Sequence, residues 1–214
     1  MTGPTIGRLA AADTRWVAER IAEAFLVLPA TRWLVPDEAK REAVFADNFE
    51  ILVDHAMRHG LVFGTADRDA VAVWFPQVGD ESPAPVDYAD RLAAACGEWT
   101  PRFQHLDELF AANHPHPDHH HLALLAVRPG RQGQGLGTAL LRHHHAWLDA
   151  HGVPGYLEAS SEAGRDLYAR HGYRLREVFR LPDGTPFYPM WREPGGGGGG
   201  PGRPPGGAAR VAPG

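Results

Sequence analysis

An α/β fold around a mixed sheet is what this sequence predicts, and three observations point there. HLALLAV (121–127) is a nearly all-apolar run, the pattern of a strand buried on both faces. The glycine-rich turn RQGQGLG (131–137) follows it and leads into the helix-patterned TALLRHHHAWLDAHG. Then come a strand, GYLEAS (155–160), a helix, EAGRDLYARHGY (162–173), and a hairpin over 174–181 and 186–192 turned by Pro182-Asp183-Gly184.

The first half supplies the remaining elements. Thr5 to Leu9 is a short strand candidate. Trp16, Val17, Ile21, Ala24 and Phe25 recur at helical spacing, so a helix is expected over 13–25 with Asp13 as its N-cap. A loop containing Pro29 and Pro36 separates it from a second helix over 37–59, stopped by Gly60. Segments 61–64 and 70–75 read as a hairpin around the polar turn Asp67 to Asp69. A helical stretch over 86–112 should break near 97–101, where Gly97 and Pro101 fall. In the helix after the glycine-rich turn, Leu136, Leu140, Trp147 and Leu148 mark the expected buried face. Gly152 and Gly172 end the last two helices.

Composition sets the outer bounds. The 214 residues are 43% hydrophobic and 22% charged, enough for one domain over residues 1–194. The net charge of -5 argues against a nucleic-acid binder, which shows a basic stripe. Residues 195–214 hold ten Gly and four Pro, and read as a disordered tail with almost nothing to bury. Cys96 is the only cysteine, so neither an internal disulfide nor a metal-binding Cys pair is expected. With no basic leader and no membrane-length apolar run, a cytoplasmic home is expected, as a monomer or homodimer without a membrane partner.

The glycine-rich turn carries the chemistry. Glycines allow a positive φ and close approach of an anion, and the first turn of a helix offers unpaired N–H groups at the positive end of its dipole. Such a turn is a pyrophosphate cradle. A Walker A loop would require Gly-Lys-Ser/Thr, and this segment has no lysine. A Rossmann fingerprint fails on spacing, because its last glycine would fall on Thr138 or Leu140. What remains, Gln132-Gly133-Gln134-Gly135-Leu136-Gly137 after a strand ending in Val127-Arg128-Pro129, resembles motif A of the GNAT superfamily of acetyltransferases. Ser161, Leu167-Tyr168 and Gly172-Tyr173 resemble that superfamily's motif B. Within it, Phe25, Pro29-Ala30-Thr31-Arg32, Val71 to Trp74 and Leu157-Glu158-Ala159-Ser160 are similar to the puromycin N-acetyltransferase group. Leu28 stands where that group is expected to carry an aromatic.

The resemblance implies a mixed, mostly antiparallel central sheet flanked by helices, and acetyl-CoA as cosubstrate. It implies CoA contacts from Leu125, Ala126 and Val127 on the buried strand, from Gln132, Gly133, Gln134, Gly135, Leu136, Gly137 and Thr138 in the cradle, and from Ser161. It places Glu158 as the base that deprotonates the attacking amine and Tyr168 as the acid that protonates the departing thiolate. A backbone N–H near Val127 would polarise the thioester carbonyl. The loops over 26–36 and 76–90 should select the acceptor, with Arg32, Trp33, Trp74 and Phe75 lining an aromatic site.

Two histidine clusters, His114/His116/His119–His121 and His143–His145, invite a metal reading. Consecutive helical residues point in different directions, and the first cluster lacks a carboxylate partner at metal-site spacing, so no metal is expected. One of His119 to His121 is a candidate proton relay in the acceptor pocket. The expected activity is acetyl transfer to a primary amine of a small molecule, aminonucleoside-type antibiotics included. The alternatives are acetylation of a protein N-terminus or metabolite amine, and a non-catalytic acyl-CoA sensor.

Overall fold

The computed structural model describes residues 3–79 and 83–195; the expected tail beyond Gly195 lies outside them. The chain runs β1 (Ile6–Arg8), α1 (Thr14–Phe25), α2 (Pro29–Leu34), α3 (Glu38–His59), β2 (Leu61–Thr65) and β3 (Ala70–Gln77). It continues with α4 (Tyr88–Cys96), α5 (Thr100–Asn113), β4 (His119–Val127), α6 (Leu136–His151) and β5 (Gly155–Ala159). Last come α7 (Glu162–Arg170), β6 (Arg174–Leu175), β7 (Phe179–Arg180) and β8 (Pro186–Arg192). The sheet order is β1-β2-β3-β4-β5-β8-β6, with β7 also on β8. Every pairing is antiparallel except β4 with β5, as expected of a mixed, mostly antiparallel sheet.

Helices cover both faces, which is why the central strands read as apolar runs. Val71 and Val73 of β3 face a core built with α1 and α3, including Val17, Ile21 and Phe49. Ala70, Ala72 and Trp74 face a second core with Leu140, Leu141 and Leu148 of α6 and Met190 of β8. A smaller cluster of Phe179, Leu181 and Phe187 packs against Phe110 of α5. Gly60 sits where no side chain fits: a Cβ there would lie 2.5 Å from the Trp74 carbonyl oxygen.

Four details differ from the sequence reading. Pro29 to Leu34 forms a helix rather than a loop, because Pro at its first turn supplies the right φ and lacks only an N–H the helix would not use. Asp13 occupies the N-cap position of α1, but its carboxylate accepts from the Ala10 N–H instead of capping the helix. The strand expected over 174–181 is split into β6 and β7. Arg176 N–H donates to Pro189 O at 2.8 Å, and Pro189 has no N–H to return, so the ladder breaks there.

The fourth concerns α6. Trp147 is 43% exposed and stacks on His151, whereas His144 and His145 are buried beside Leu140, Leu141 and Leu148. His144 lies against Trp74 and shares a 2.9 Å hydrogen bond with His120 Nδ1; His145 Nε2 meets the Tyr173 hydroxyl at 3.1 Å. Two histidines thus take core positions by pairing their ring nitrogens. Among the described residues, no helix is long and apolar enough to cross a membrane.

Burial disfavours the charged ring, pushing His144 and His145 down to about 3 and His120 to about 4. These rings stay neutral in the fold but protonate near 6.5 once unfolded. Stability should therefore be full above pH 6.5 and fall as pH drops toward 4.5, before most carboxylates titrate. Urea midpoints across that window should show the fall, and it should be shallower in His144→Gln. Equal slopes in the two proteins would contradict neutral burial of His144.

Candidate active site

The site begins where two strands part. β4 and β5 pair in parallel only at His120 with Gly155 and His121 with Tyr156. On its other edge β4 pairs with β3 from His119 to Val127, with a register shift that leaves Ala123 as an extra residue. Arg128 N–H donates to Asp69 O at 2.7 Å, so Arg128 faces β3. Main-chain groups alternate along a strand, hence those of Ala126 also face β3, while those of Val127 and Leu125 turn to the open side. Two peptide units thus line a gap between strands with no ladder partner, the arrangement that an extended ligand chain can complete. Ala126 turns its main-chain groups to β3, and its side chain joins the core with α1 and α3 while also bordering the cavity beside Leu125 and Val127.

The cradle sits at the end of that gap. Gly130, Gly133 and Gly135 all have φ near +80°, a conformation costly for any residue with a Cβ. Gly135 is the N-cap of α6, and Ala139 N–H is already donating to its carbonyl. The first-turn amides at Leu136, Gly137 and Thr138 precede that bond and have no acceptor one turn back. A Cβ on Gly137 would sit at ordinary contact distance, 3.7 Å, from Leu125 and Val127, which places the helix start close against β4. Gln132 braces the loop, donating to Val127 O at 3.2 Å and accepting from Gly130 N–H. Gln134 reaches back to Gly130 O at 3.4 Å, and the Thr138 hydroxyl meets His171 Nε2 at 3.1 Å. Arg131 donates to Asp69 at 2.7 Å, tying the loop to the β2–β3 turn.

Glu158 and Tyr168 flank one cavity of about 630 Å³ that also takes in Leu125, Val127, Gln132 and Gly137. The Glu158 side chain is only 5% exposed, and His121 Nε2 lies 2.7 Å from its Oε2. Burial alone would raise its pKa; the charge and hydrogen bond of His121 outweigh that and hold the carboxyl below its ordinary value. Oε1 has no hydrogen-bond partner, with His114 Nδ1 4.0 Å away. Burial pushes His114 down to about 4, so its ring is neutral there. Tyr168, on α7, is shifted upward by burial and keeps its proton. Its ring packs edge-on against Tyr173. The glycine at 164 keeps this region open: a Cβ there would lie 3.7 Å from the Tyr168 ring and 3.2 Å from Ser161 Oγ.

Toward α1, α3 and α5 the cavity becomes aromatic, with Phe25, Phe49, Phe75, Phe103, Phe110 and Phe187 among its walls. Phe75 lines it as the sequence suggests. Trp74 does not: strand alternation turns it to the opposite face, where it is fully buried against His144. Arg32 is exposed and outside the cavity, and Trp33 packs beneath the Arg102 guanidinium. Both follow from α2 being helical, which puts Ala30, Thr31 and Leu34 inward instead. Sequence reasoning missed Asn48, Tyr88 and Asp107. Of these only Asp107 left a trace: with Phe103, Leu106 and Phe110 it marks one face of α5.

Comparison with known proteins fits this geometry. Residues 104–175, from mid-α5 to β6, match the acetyltransferase (GNAT) domain family. As a whole, the chain resembles solved acetyltransferases in fold. Its fold is shared with the histone acetyltransferase HPA2 and related acetyltransferase from Corynebacterium glutamicum, at 27% identity and a TM-score of 0.64, over 92% of this chain and 99% of that one. The PaiA N-acetyltransferase of Thermoplasma acidophilum, solved with coenzyme A, superposes at 14% identity and a TM-score of 0.57, over 90% and 99% of the two chains. The polyamine N-acetyltransferase of Drosophila melanogaster does so at 16% and 0.55, over 89% and 100%.

Within the matched segment, Ser161 has a structural duty. It is the N-cap of α7, its hydroxyl accepting from Gly164 N–H at 3.1 Å, and it also borders the cavity. Ser161→Ala should lower unfolding free energy by about 1 kcal/mol, measured by urea denaturation, because the cap is lost. An unchanged midpoint would show that the hydroxyl serves only the cavity.

Proposed function

We propose that the protein transfers the acetyl group of acetyl-CoA to the primary amine of a small molecule, by direct attack in a ternary complex. The observation that carries this reading is the placing of Glu158 and Tyr168 on one cavity, at the gap where β4 exposes Leu125 and Val127. The amides of the Gly133–Thr138 turn would take the pyrophosphate, and the open main chain of Leu125 and Val127 the pantetheine arm. The fit rests on three positive-φ glycines and on a strand edge without a ladder partner, where Gln132 takes up Val127 O but not Val127 N–H; both suit a ligand bound through backbone groups. Val127 N–H is then the donor nearest the thioester carbonyl.

Chemistry follows from these positions. The amine nitrogen attacks the carbonyl carbon, forming the C–N bond as the C–S bond breaks. Glu158, ionised and paired with His121, takes the amine proton. Tyr168 gives its proton to the departing sulfur. The aromatic walls support a bulky, apolar acceptor, a class that includes aminonucleosides such as puromycin. The solved structures named above, one a coenzyme A complex and one a polyamine N-acetyltransferase, are in keeping with such a reaction.

The test is thiol release from acetyl-CoA against a panel of amines, puromycin included, with the acetylated product confirmed by mass. Cys96 is 1% exposed and pushed up to about 12 by burial, so it should stay silent toward the thiol reagent. Tyr168→Phe and Glu158→Gln should each lower kcat by about 10²-fold or more. Acetyl-CoA binding without amine-dependent release would instead identify an acyl-CoA sensor.

A further inference from the structure

The acceptor end of the cavity holds a second carboxylate that the acetyl-transfer chemistry does not use. Asp107 lies on the cavity face of α5, and its Oδ2 accepts the Tyr88 hydroxyl at 2.6 Å. No Lys, Arg or His among the described residues comes within 4.0 Å of the carboxylate, although nearly every other partly buried acid here has such a partner. Neither lysine nor arginine lines the cavity at all. Burial, offset only in part by the Tyr88 bond, pushes the Asp107 carboxyl above its ordinary value, the mark of a group short of positive charge.

Position matters as much as charge. The C-terminal residue of α5, Asn113, touches β5 through the Tyr156 hydroxyl, two residues before Glu158 on that strand. Asp107 is six residues earlier on the helix, about 9 Å along its axis. Phe103, Leu106 and Phe110 flank it on the helix, and all of them line the same cavity as Glu158. Tyr88, arriving from α4, fixes one carboxylate oxygen and leaves the other free.

We propose that Asp107, oriented by Tyr88, is a recognition site for a second cationic nitrogen of the acceptor, so that the preferred substrate is a diamine with an apolar or aromatic spacer. One nitrogen is acetylated beside Glu158 while the other remains protonated against Asp107. The inference rests on the acetyltransferase reading for its reactive end, but the anchor itself is a binding claim and can be tested apart from turnover.

A matched pair of probes isolates the anchor: 1,4-bis(aminomethyl)benzene and 4-methylbenzylamine differ only in the distal nitrogen. The native protein should favour the diamine in kcat/KM by about tenfold or more, and Asp107→Asn should erase most of that preference through KM. Tyr88→Phe, which keeps the charge but not its orientation, should reduce the preference less. No preference in the native protein, or one that survives Asp107→Asn, overturns the proposal. Calorimetric binding of the same two amines separates the two readings. Tighter diamine binding that Asp107→Asn abolishes, without acetylation of either probe, would sustain the anchor and count against acetyl transfer. Acetylation of both probes alike would sustain the enzyme and remove the anchor.

Discussion

The structure depends on how little β4 and β5 touch. Two residue pairs hold them parallel, and beyond those pairs the strands diverge because the extra residue at Ala123 changes the course of β4. Unpaired main-chain groups inside a protein are costly, so a gap of this kind persists only where something else holds both edges in place. Here β3 secures β4 along its length and β8 secures β5 over all five of its residues. The gap is therefore a rigid feature of the sheet, and the cradle, Glu158 and the aromatic cavity are all disposed around it.

Packing on the two faces divides the labour. The face with α6 is dense and includes histidines whose ring nitrogens find buried partners, His120 with His144 and His145 with the Tyr173 hydroxyl. The face with α1, α3 and α5 encloses the cavity. His121 marks the border: one residue beyond His120 on the strand, it points to the opposite side and reaches Glu158. Adjacent histidines in one run thus serve a core and a site.

Much of this was legible in the sequence, for identifiable reasons. The glycine-rich turn was readable because a positive φ demands glycine and leaves a mark in the letters. The β2–β3 hairpin, α3 with its stop at Gly60, and the order of the second half were readable from periodicity. The acceptor side was not. Trp74 looks like a pocket aromatic by composition, and only the registry of β3 against β4 decides which face receives it. His144 and His145 look like polar surface and become core through partners distant in sequence. Asp107 sits among Phe103, Leu106 and Phe110 as an ordinary interruption of an apolar face, and becomes notable once no cationic side chain among the described residues is seen to approach it.

Asp69 has a consequence for how the glycine-rich loop treats salt. This carboxylate is 8% exposed in its side chain and engages both basic residues flanking the loop, Arg131 at 2.7 Å and Arg128 at 3.5 Å. With Asp67 3.9 Å from Arg131 as well, two carboxylates offset these two charges before any anion arrives. What the loop then offers is a fixed set of amide dipoles at the start of α6, whose reach is a few ångströms. Long-range attraction of that sort is short of the steering a bare arginine pair would give, so capture at this loop should vary little with ionic strength, with selectivity resting on shape more than on charge.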